Sequence, residues 1–106
     1  MTKNYKIYIF APREDELIRT IIDVAAKAGA GTIGNYSHCA FVSEGTGHYI
    51  PLENAQPHIG EIGVLASTPE VKIEMQCPES ALNDILTAVK AVHPYEEVVI
   101  DIIELQ

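Results

Sequence analysis

Residues 71–94 read VKIEMQCPESALNDILTAVKAVHP and decide the fold. In its first seven residues apolar and polar side chains alternate, which is typical of a strand with one face in water. The proline and acidic residue that follow are typical of a helix start, and Pro94 ends the helix. The stripe that this helix buries consists of Leu82, Ile85, Leu86, Val89 and Val92. With a last strand at residues 97–105, this half is predicted to be strand, helix, strand.

The beginning of the chain repeats the same design. Residues 5–11 predict a strand rich in aromatic and branched side chains. Pro12, with acidic residues at 14–16, predicts the first turn of a helix, and Gly29 predicts its end. The apolar residues at helical spacing in this segment are Leu17, Ile18, Ile21, Ile22, Ala25 and Ala28.

The middle of the chain is harder to assign. Residues 39–43 and 47–50 resemble strand segments on either side of a turn at Gly45, and residues 52–67 read as a loop with some extended structure. The two similar halves predict an α+β, ferredoxin-like βαββαβ fold with sheet order 4-1-3-2 and two helices on one face. Residues 1–106 are predicted to form one domain.

The composition excludes some partners. Seven Lys and Arg stand against fifteen Asp and Glu, a formal charge of −8, so the surface repels phosphate backbones and nucleic acid is not an expected partner. No apolar stretch approaches the ~20 residues that span a bilayer, so no membrane partner is expected. The N-terminus lacks a signal-peptide profile, so we expect a cytoplasmic protein whose two cysteines are reduced thiols.

The predicted sheet order sorts the unusual segments into two groups. Residues 45–67, which include His58, and the turn at 93–97 are predicted at one edge of the sheet. The loop at 29–37 and the corner at 77–78 are predicted at the opposite edge. A single site that uses both glycine-rich loops would therefore need a second subunit.

The turn His93-Pro94-Tyr95-Glu96-Glu97 is the first candidate site. Its imidazole and carboxylates offer nitrogen and oxygen donors, and the candidate ligands of a divalent metal ion are His58, His93, Glu96 and Glu97. A structural interpretation stays open, in which His93 bonds the last carbonyls of its helix, Pro94 ends the helix and Tyr95 packs. Glu96 and Glu97 would point to opposite faces if both lay in the strand.

The segment at 29–39, GAGTIGNYSHC, is the second candidate. Successive backbone amides in a glycine loop can cradle a ligand, and the candidate ligand-binding residues are Gly31, Asn35, Tyr36 and Ser37, with Tyr95 from the other loop. Because these glycines follow a helix, whose C-terminal end is negative, phosphate is disfavoured. The alternative is a helix cap followed by a tight loop that contacts another subunit.

His38, Cys39 and Cys77 form a third group. If the second and third strands pair so that Cys39 lies opposite Cys77, two thiolates and the imidazole of His38 would suit zinc or copper(I). The alternative is that both cysteines are small core residues. A cysteine nucleophile with His38 as its base is disfavoured, because neighbours in a strand point to opposite faces.

Three motifs together resemble the inserted domain of the Nif-three-like (Ngg-interacting factor three) family of dinuclear-metal proteins. They are GAGTIGNYSHC at 29–39, the segment from 45 to 63, and HPYEEVVIDI at 93–102, and with their spacing they cover nearly the whole chain. The resemblance implies a PII/CutA-like, ferredoxin-like domain that is commonly trimeric, present here as a free-standing copy. It also implies that the metal ions and the hydrolase or cyclohydrolase activity of the family, which belong to its main domain, are not inherited.

We therefore expect a non-enzymatic, self-associating, regulatory module that binds a small ligand or a divalent metal in clefts between subunits. Self-association, as a trimer, is also expected because an antiparallel sheet leaves open edges and two helices cover only one of its faces. The uncovered face is predicted to carry Tyr8 or Ile9 and Ile103. Two alternatives stay open: a small metal-dependent hydrolase that uses the four candidate metal ligands, and a protein-interaction adaptor.

Overall fold

The computed structural model describes residues 3–106 and confirms the α+β, ferredoxin-like architecture. Its elements are β1 (Asn4–Pro12), α1 (Asp15–Lys27), β2 (Phe41–Tyr49), β3 (Ala66–Pro78), a 3₁₀ turn (Glu79–Ala81), α2 (Leu82–Val92) and β4 (Ile100–Leu105). The four strands form one antiparallel sheet in the order β2-β3-β1-β4, which is the predicted order 4-1-3-2. Along residues 3–106 no helix has the length and apolar character that crossing a membrane requires.

The core lies between the two helices and one face of the sheet. Alternate residues of β1 and β3, among them Ile7, Ile9 and Ile73, are completely buried. They pack with Ile21 of α1 and Ile85 of α2 in a single cluster. Each such side chain contributes about 1.5–3 kcal/mol to the stability of the fold relative to an exposed position. The period of two in the strands and the helical stripes of the sequence therefore account for this layer.

The first helix begins later than predicted. Pro12 is the last residue of β1, opposite Glu70 of β3, and α1 begins at Asp15. A proline is tolerated at a strand end because few ladder hydrogen bonds are lost there. The backbone N–H of Arg13 still donates to the carbonyl of Pro69, so the strand pairing extends past the proline.

The predicted turn at Gly45 is wrong. β2 is continuous from Phe41 to Tyr49, and Gly45 and Gly47 lie inside it, paired with β3. A Cβ atom on Gly47 would collide with the carboxylate of Glu70, whose side chain extends from β3 over Gly47. Gly47 therefore leaves room for a cross-strand side chain, one of the reasons for which glycine occurs inside a strand.

The boundaries of two other strands also differ from prediction. Because β2 continues to residue 49, its partner β3 extends back to Ala66, five residues before the predicted start at residue 71. β4 begins at Ile100 instead of residue 97, so Glu96 and Glu97 lie before it, in the turn that follows α2. The connection between β2 and β3, residues 50–65, turns the chain with positive φ angles at Asn54, Gly60 and Gly63.

The pairing of Cys39 with Cys77 is also wrong. β2 begins at Phe41, and its register places Val42 opposite Ile73, so Cys39 precedes the strand. At this end Gly31 approaches β3 instead, and its N–H donates to the carbonyl of Gln76 at 2.7 Å. Cys39 contacts Gly31 in turn, through an N–H···O bond of 2.8 Å. Cys77 is a buried core residue, as the structural alternative proposed.

Candidate functional site

A cleft of about 770 Å³ opens at the end of the sheet where β1 finishes and β3 begins. Its walls come from the connection between β2 and β3 and from the turn between α2 and β4. Among its lining residues are His58, Tyr95, Glu96 and Glu97, so the prediction that these segments share one edge is confirmed. A volume of this size falls within the range of small-molecule sites.

His93 is buried directly behind the cleft, with 8% of its surface exposed. Its Nε2–H donates to the carbonyl of Phe10 at 2.7 Å, and its Nδ1 accepts the backbone N–H of Tyr95 at 3.1 Å. Burial lowers the pKa of His93, which favours the neutral ring that this arrangement requires. The His93 side chain thus links the end of α2 to β1. It does not bond a carbonyl of its own helix, the partner that the structural interpretation assigned to it. A metal ion could bind it only by replacing one of the two hydrogen bonds.

Tyr95 forms the inner wall of the cleft. Its ring packs against His93, with 4.8 Å between ring centroids, and lies 6.2 Å from the ring of His58. Its hydroxyl donates to Oε2 of Glu70 at 2.6 Å. Burial and this hydrogen bond to a carboxylate both raise the pKa of Tyr95, so the phenol stays protonated and serves as a donor and a packing surface.

Thr68 lies on β3 beside this pair. It is 6% exposed, and within residues 3–106 no group accepts or donates a hydrogen bond to its Oγ1. The hydroxyl is nevertheless near enough to the Tyr95 side chain to oppose part of the rise in its pKa. Buried hydroxyls are normally satisfied by protein or by ordered water. Tyr95 is therefore the candidate partner of this hydroxyl, and Thr68 itself is not among the residues that line the cleft.

Carboxylates dominate the polar lining of the cleft. They are Glu53, Glu70, Glu96, Glu97 and Asp101, and no lysine or arginine lines the cavity. Oε1 of Glu96 accepts the backbone N–H of Gln56 at 2.8 Å, which links the two walls. Over the described residues no three His, Cys, Asp or Glu side chains form a set that could hold a metal ion. The metal site at His58, His93, Glu96 and Glu97 stays a prediction, which ligands from a second subunit would have to complete.

The glycine loop lies at the other end of the sheet. Gly31 is buried, with a φ of +75°, whereas Asn35, Tyr36 and Ser37 are exposed, Tyr36 to 75%. Gly31 bonds Gln76 of β3, whereas Tyr95 is beside Glu70 of the same strand. Six residues of a strand span about 20 Å. One subunit therefore does not bring the five predicted ligand residues together.

His38 has a local structural environment in this loop. Its Nε2 pairs with Oδ1 of Asp23 on α1 at 3.0 Å, and its Nδ1 pairs with the hydroxyl of Ser37 at 2.9 Å. Hydrogen bonds from Lys27 and then from His38 lower the pKa of Asp23. Both ring nitrogens are engaged, and Cys39 does not face Cys77, so the zinc or copper(I) site on these residues loses the pairing on which it rested.

The face of the sheet opposite the helices carries Tyr8, whose ring lies 5.1 Å from Nζ of Lys72, and the exposed Ile103. Ile9, the alternative that the sequence left open, faces the core. The connection between β2 and β3 exposes a further set of large apolar side chains: Ile50, Leu52, Ile59, Ile62, Val64 and Leu65. Leu52 and Leu65 are 74% and 62% exposed.

Three carboxylates of the cleft, Glu53, Glu70 and Asp101, and the exposed apolar residues of the connection did not stand out in the sequence. Glu70 pairs with Gly45 and its carboxylate lies against Gly47, so these two glycines are the signal that a long side chain lies over β2. The apolar residues of the connection were assigned to a loop, which they form, but so many large apolar side chains are unusual in a loop exposed to water. Glu70 and the connection both depend on contacts between β2 and β3, whose extent depends on the length of β2.

No family model matches the chain. Over 98 residues it is 45% identical to a GTP cyclohydrolase 1 type 2 homolog of Bacillus subtilis, which covers 92% of this chain and 26% of that protein. A GTP cyclohydrolase 1 type 2 homolog of Mycobacterium tuberculosis is 40% identical over 101 residues, with 94% and 26% covered. The chain spans about a quarter of the length of these curated relatives.

Solved structures show the same relationship. A Bacillus cereus protein related to NIF3 superposes with a TM-score of 0.84 and 37% identity, over 99% of this chain and 26% of that one. The divalent ion tolerance protein CutA1 of Ehrlichia chaffeensis superposes with a TM-score of 0.69 and 18% identity, over 100% of this chain and 84% of that one. The chain is therefore homologous to one segment of the GTP cyclohydrolase 1 type 2 homologs and has the fold of CutA1.

Proposed function

We propose that this chain corresponds to the inserted CutA-like domain of Nif-three-like proteins and acts as a non-enzymatic, self-associating module in the cytoplasm. In this proposal it binds a small ligand or a divalent metal ion at the cleft beside Tyr95, and binding has a regulatory effect. The observation that carries the proposal is the cleft itself. It is large enough for a small molecule, and it gathers His58, Tyr95 and Glu97 from segments distant in sequence.

Self-association is supported by the surfaces that the fold leaves uncovered. The connection between β2 and β3 exposes six large apolar side chains within sixteen residues, next to the cleft. β2, nine residues long, and β4 are the edge strands of the sheet, and each has one side free to pair. Contiguous apolar surface next to an open strand edge is typical of an interface between proteins. A trimer, which the resemblance implies, would complete the cleft with residues of a neighbouring subunit.

The alternative of a metal-dependent hydrolase receives less support. It needs His93 as a ligand, but both nitrogens of this buried ring are bonded to Phe10 and to Tyr95. Tyr95 in turn is a protonated phenol bonded to Glu70, so it offers no base. The side chains of His93 and Tyr95 thus maintain the shape of the cleft through their hydrogen bonds. This role favours a binding site over a catalytic one.

Light scattering on the purified chain at micromolar concentration tests self-association. We expect the mass of a trimer, and we expect the double variant Leu52→Ser, Leu65→Ser to be a folded monomer, because both side chains are largely exposed in one subunit. Ala91→Ser, on the exposed side of α2, is the matched control and keeps the trimer. A wild-type chain that stays monomeric would contradict the proposal.

A thermal-shift screen of small ligands and divalent metals tests binding. A compound that binds only the folded chain raises its melting temperature, and the stabilisation grows with the logarithm of its concentration relative to Kd. A genuine cleft ligand loses this effect in Glu97→Gln and keeps it in Glu61→Gln, which changes an exposed carboxylate outside the cleft. Shifts that are the same in both variants would place binding elsewhere.

A further inference from the structure

The charge of the cleft is strongly one-sided. Five carboxylates line it, whereas none of the seven lysines and arginines of the chain does so. None of the five lies within ion-pair distance of a lysine, arginine or histidine in the described part of the chain, whose ion pairs involve other acids. A concave site lined by charges of one sign concentrates ions of the opposite sign.

Two of the five carboxylates are already engaged inside the protein. Glu70 accepts the hydroxyl of Tyr95, and Glu96 accepts the backbone N–H of Gln56. Glu53, Glu97 and Asp101 have no partner among residues 3–106 and remain available to a ligand. The free carboxylates are on both walls of the cleft, one on the connection and two beside the start of β4.

Aromatic rings share the lining of the cleft with these carboxylates. Phe10, Tyr49, His58 and Tyr95 line the cavity. The hydroxyl of Tyr49 donates to the carbonyl of Ile59 at 2.5 Å, and that of Tyr95 donates to Glu70, so both rings are held in place by their polar ends. An aromatic ring presents a negative face, which attracts an organic cation within ~6 Å of its centre.

The rest of the lining is mostly apolar, with His48 and Asn54 as its polar members. Ile50, Pro51, Leu52, Ala55 and Val99 occupy much of the wall, and no three metal-ligating side chains of the described chain come together. A hard cation such as Mg²⁺ prefers oxygen ligands and retains several of its water molecules. Apolar side chains cannot replace those ligands.

We infer that the ligand of this cleft is an organic cation, an ammonium or guanidinium group on an apolar body. The inference rests on the proposed binding function and names the ligand class for it. Glu97 and Asp101 bind the charged group, the rings of Tyr49 and Tyr95 stack on it, and the apolar wall holds the body. Anionic ligands, nucleotides included, are repelled by the same carboxylates.

Three probes with one apolar body and different charges test the inference: hexylammonium, hexanol and hexanoate. Titration of the ¹⁵N-labelled chain, followed by amide chemical shifts, gives the affinity and the location of each. We expect hexylammonium to bind at least about tenfold more tightly than hexanol, with shifts at Tyr95 and Glu97, and hexanoate not to bind. The preference should shrink in 0.5 M salt, because charge attraction at a partly open site is screened.

The variant Glu97→Gln, Asp101→Asn should lose about tenfold in affinity for hexylammonium and keep its affinity for hexanol. Glu61→Gln, outside the cleft, should change neither. Equal affinities for hexylammonium and hexanol, or tighter binding of hexanoate, overturn the inference. Stoichiometric Zn²⁺ or Mg²⁺ binding without hexylammonium binding overturns the inference but leaves the proposed function intact. A monomer that binds hexylammonium in the cleft supports the inference and overturns self-association.

Discussion

The two ends of the sheet both carry histidine, tyrosine and glycine, yet they differ in what these residues do. At the end with Gly31, polar groups bond one another, as in the contacts of His38 with Asp23 and Ser37. At the end with Tyr95, hydrogen bonds instead hold open a cavity with unpaired carboxylates. Residue types alone therefore did not identify the site. What distinguishes the ends is whether polar groups remain without partners.

The largest expected effect is at the close-packed end. A Cβ at Gly31 would lie 2.8 Å from Cε of Met75 and 2.9 Å from the backbone of Cys39, and its φ of +75° disfavours any other residue. We expect Gly31→Ala to lower the free energy of unfolding by about 3 kcal/mol through strain and overpacking. Urea denaturation measures the loss.

Gly34→Ala is the matched control for that variant. Its φ is +56°, but nothing lies within 4 Å of the added Cβ, so only backbone strain is introduced. We expect a loss of about 1 kcal/mol. If the two variants lost the same stability, the close packing of Gly31 against β3 would not be what fixes this loop.

The next effect concerns the buried ring behind the cleft. His93→Gln removes one ring that bonds both Phe10 and Tyr95, and we expect a loss of about 2 kcal/mol at pH 7.5. Since burial depresses the pKa of His93 in the folded state below its ordinary value of 6.5, the unfolded chain binds more protons. The contribution of His93 is therefore fully present above pH 6.5 and declines as the pH falls toward the folded-state pKa.

Urea denaturation at several pH values between 7.5 and 5 checks the sign. The wild-type chain should lose stability more steeply below pH 6.5 than His93→Gln does. His48→Gln, an exposed histidine that bonds only Ser67 through Nδ1, should follow the wild-type slope. A His93→Gln slope equal to that of the wild type would show that this ring is not held neutral by the fold.

The sequence predicted the layers of the fold but not the contacts across its edges. The alternation of residues 71–77 and the helical stripes identify the core, because burial follows local periodicity. The role of Gly47 depends on Glu70, and that of His93 on Phe10, more than eighty residues away. Such pairs become visible only when strand lengths and register are known. The shared edge of His58, Tyr95, Glu96 and Glu97 followed from the sheet order, whereas the contributions of Glu53, Glu70 and Asp101 to the lining did not.

A smaller effect is expected at the inner wall of the cleft. Tyr95→Phe leaves the carboxylate of Glu70 without its donor, and we expect a loss of about 1 kcal/mol in the free energy of unfolding. Tyr36→Phe, in the loop at the other end, is the control and should change stability by less than about 0.5 kcal/mol because its side chain is largely exposed. Equal losses in the two variants would mean that the Tyr95 hydroxyl contributes no more to stability than a hydroxyl exposed to water.

The smallest expected effect has the opposite sign. Thr68→Val replaces the buried hydroxyl that has no partner in the described chain with a methyl group of nearly the same size. A buried polar group without a hydrogen bond destabilises the folded state, so we expect a gain of up to about 1 kcal/mol in urea denaturation. Ser67→Ala, at the exposed neighbouring position, should not be stabilising, since it removes a hydroxyl that bonds His48. A loss in Thr68→Val would show that ordered water or the Tyr95 hydroxyl satisfies the Thr68 hydroxyl in the folded chain.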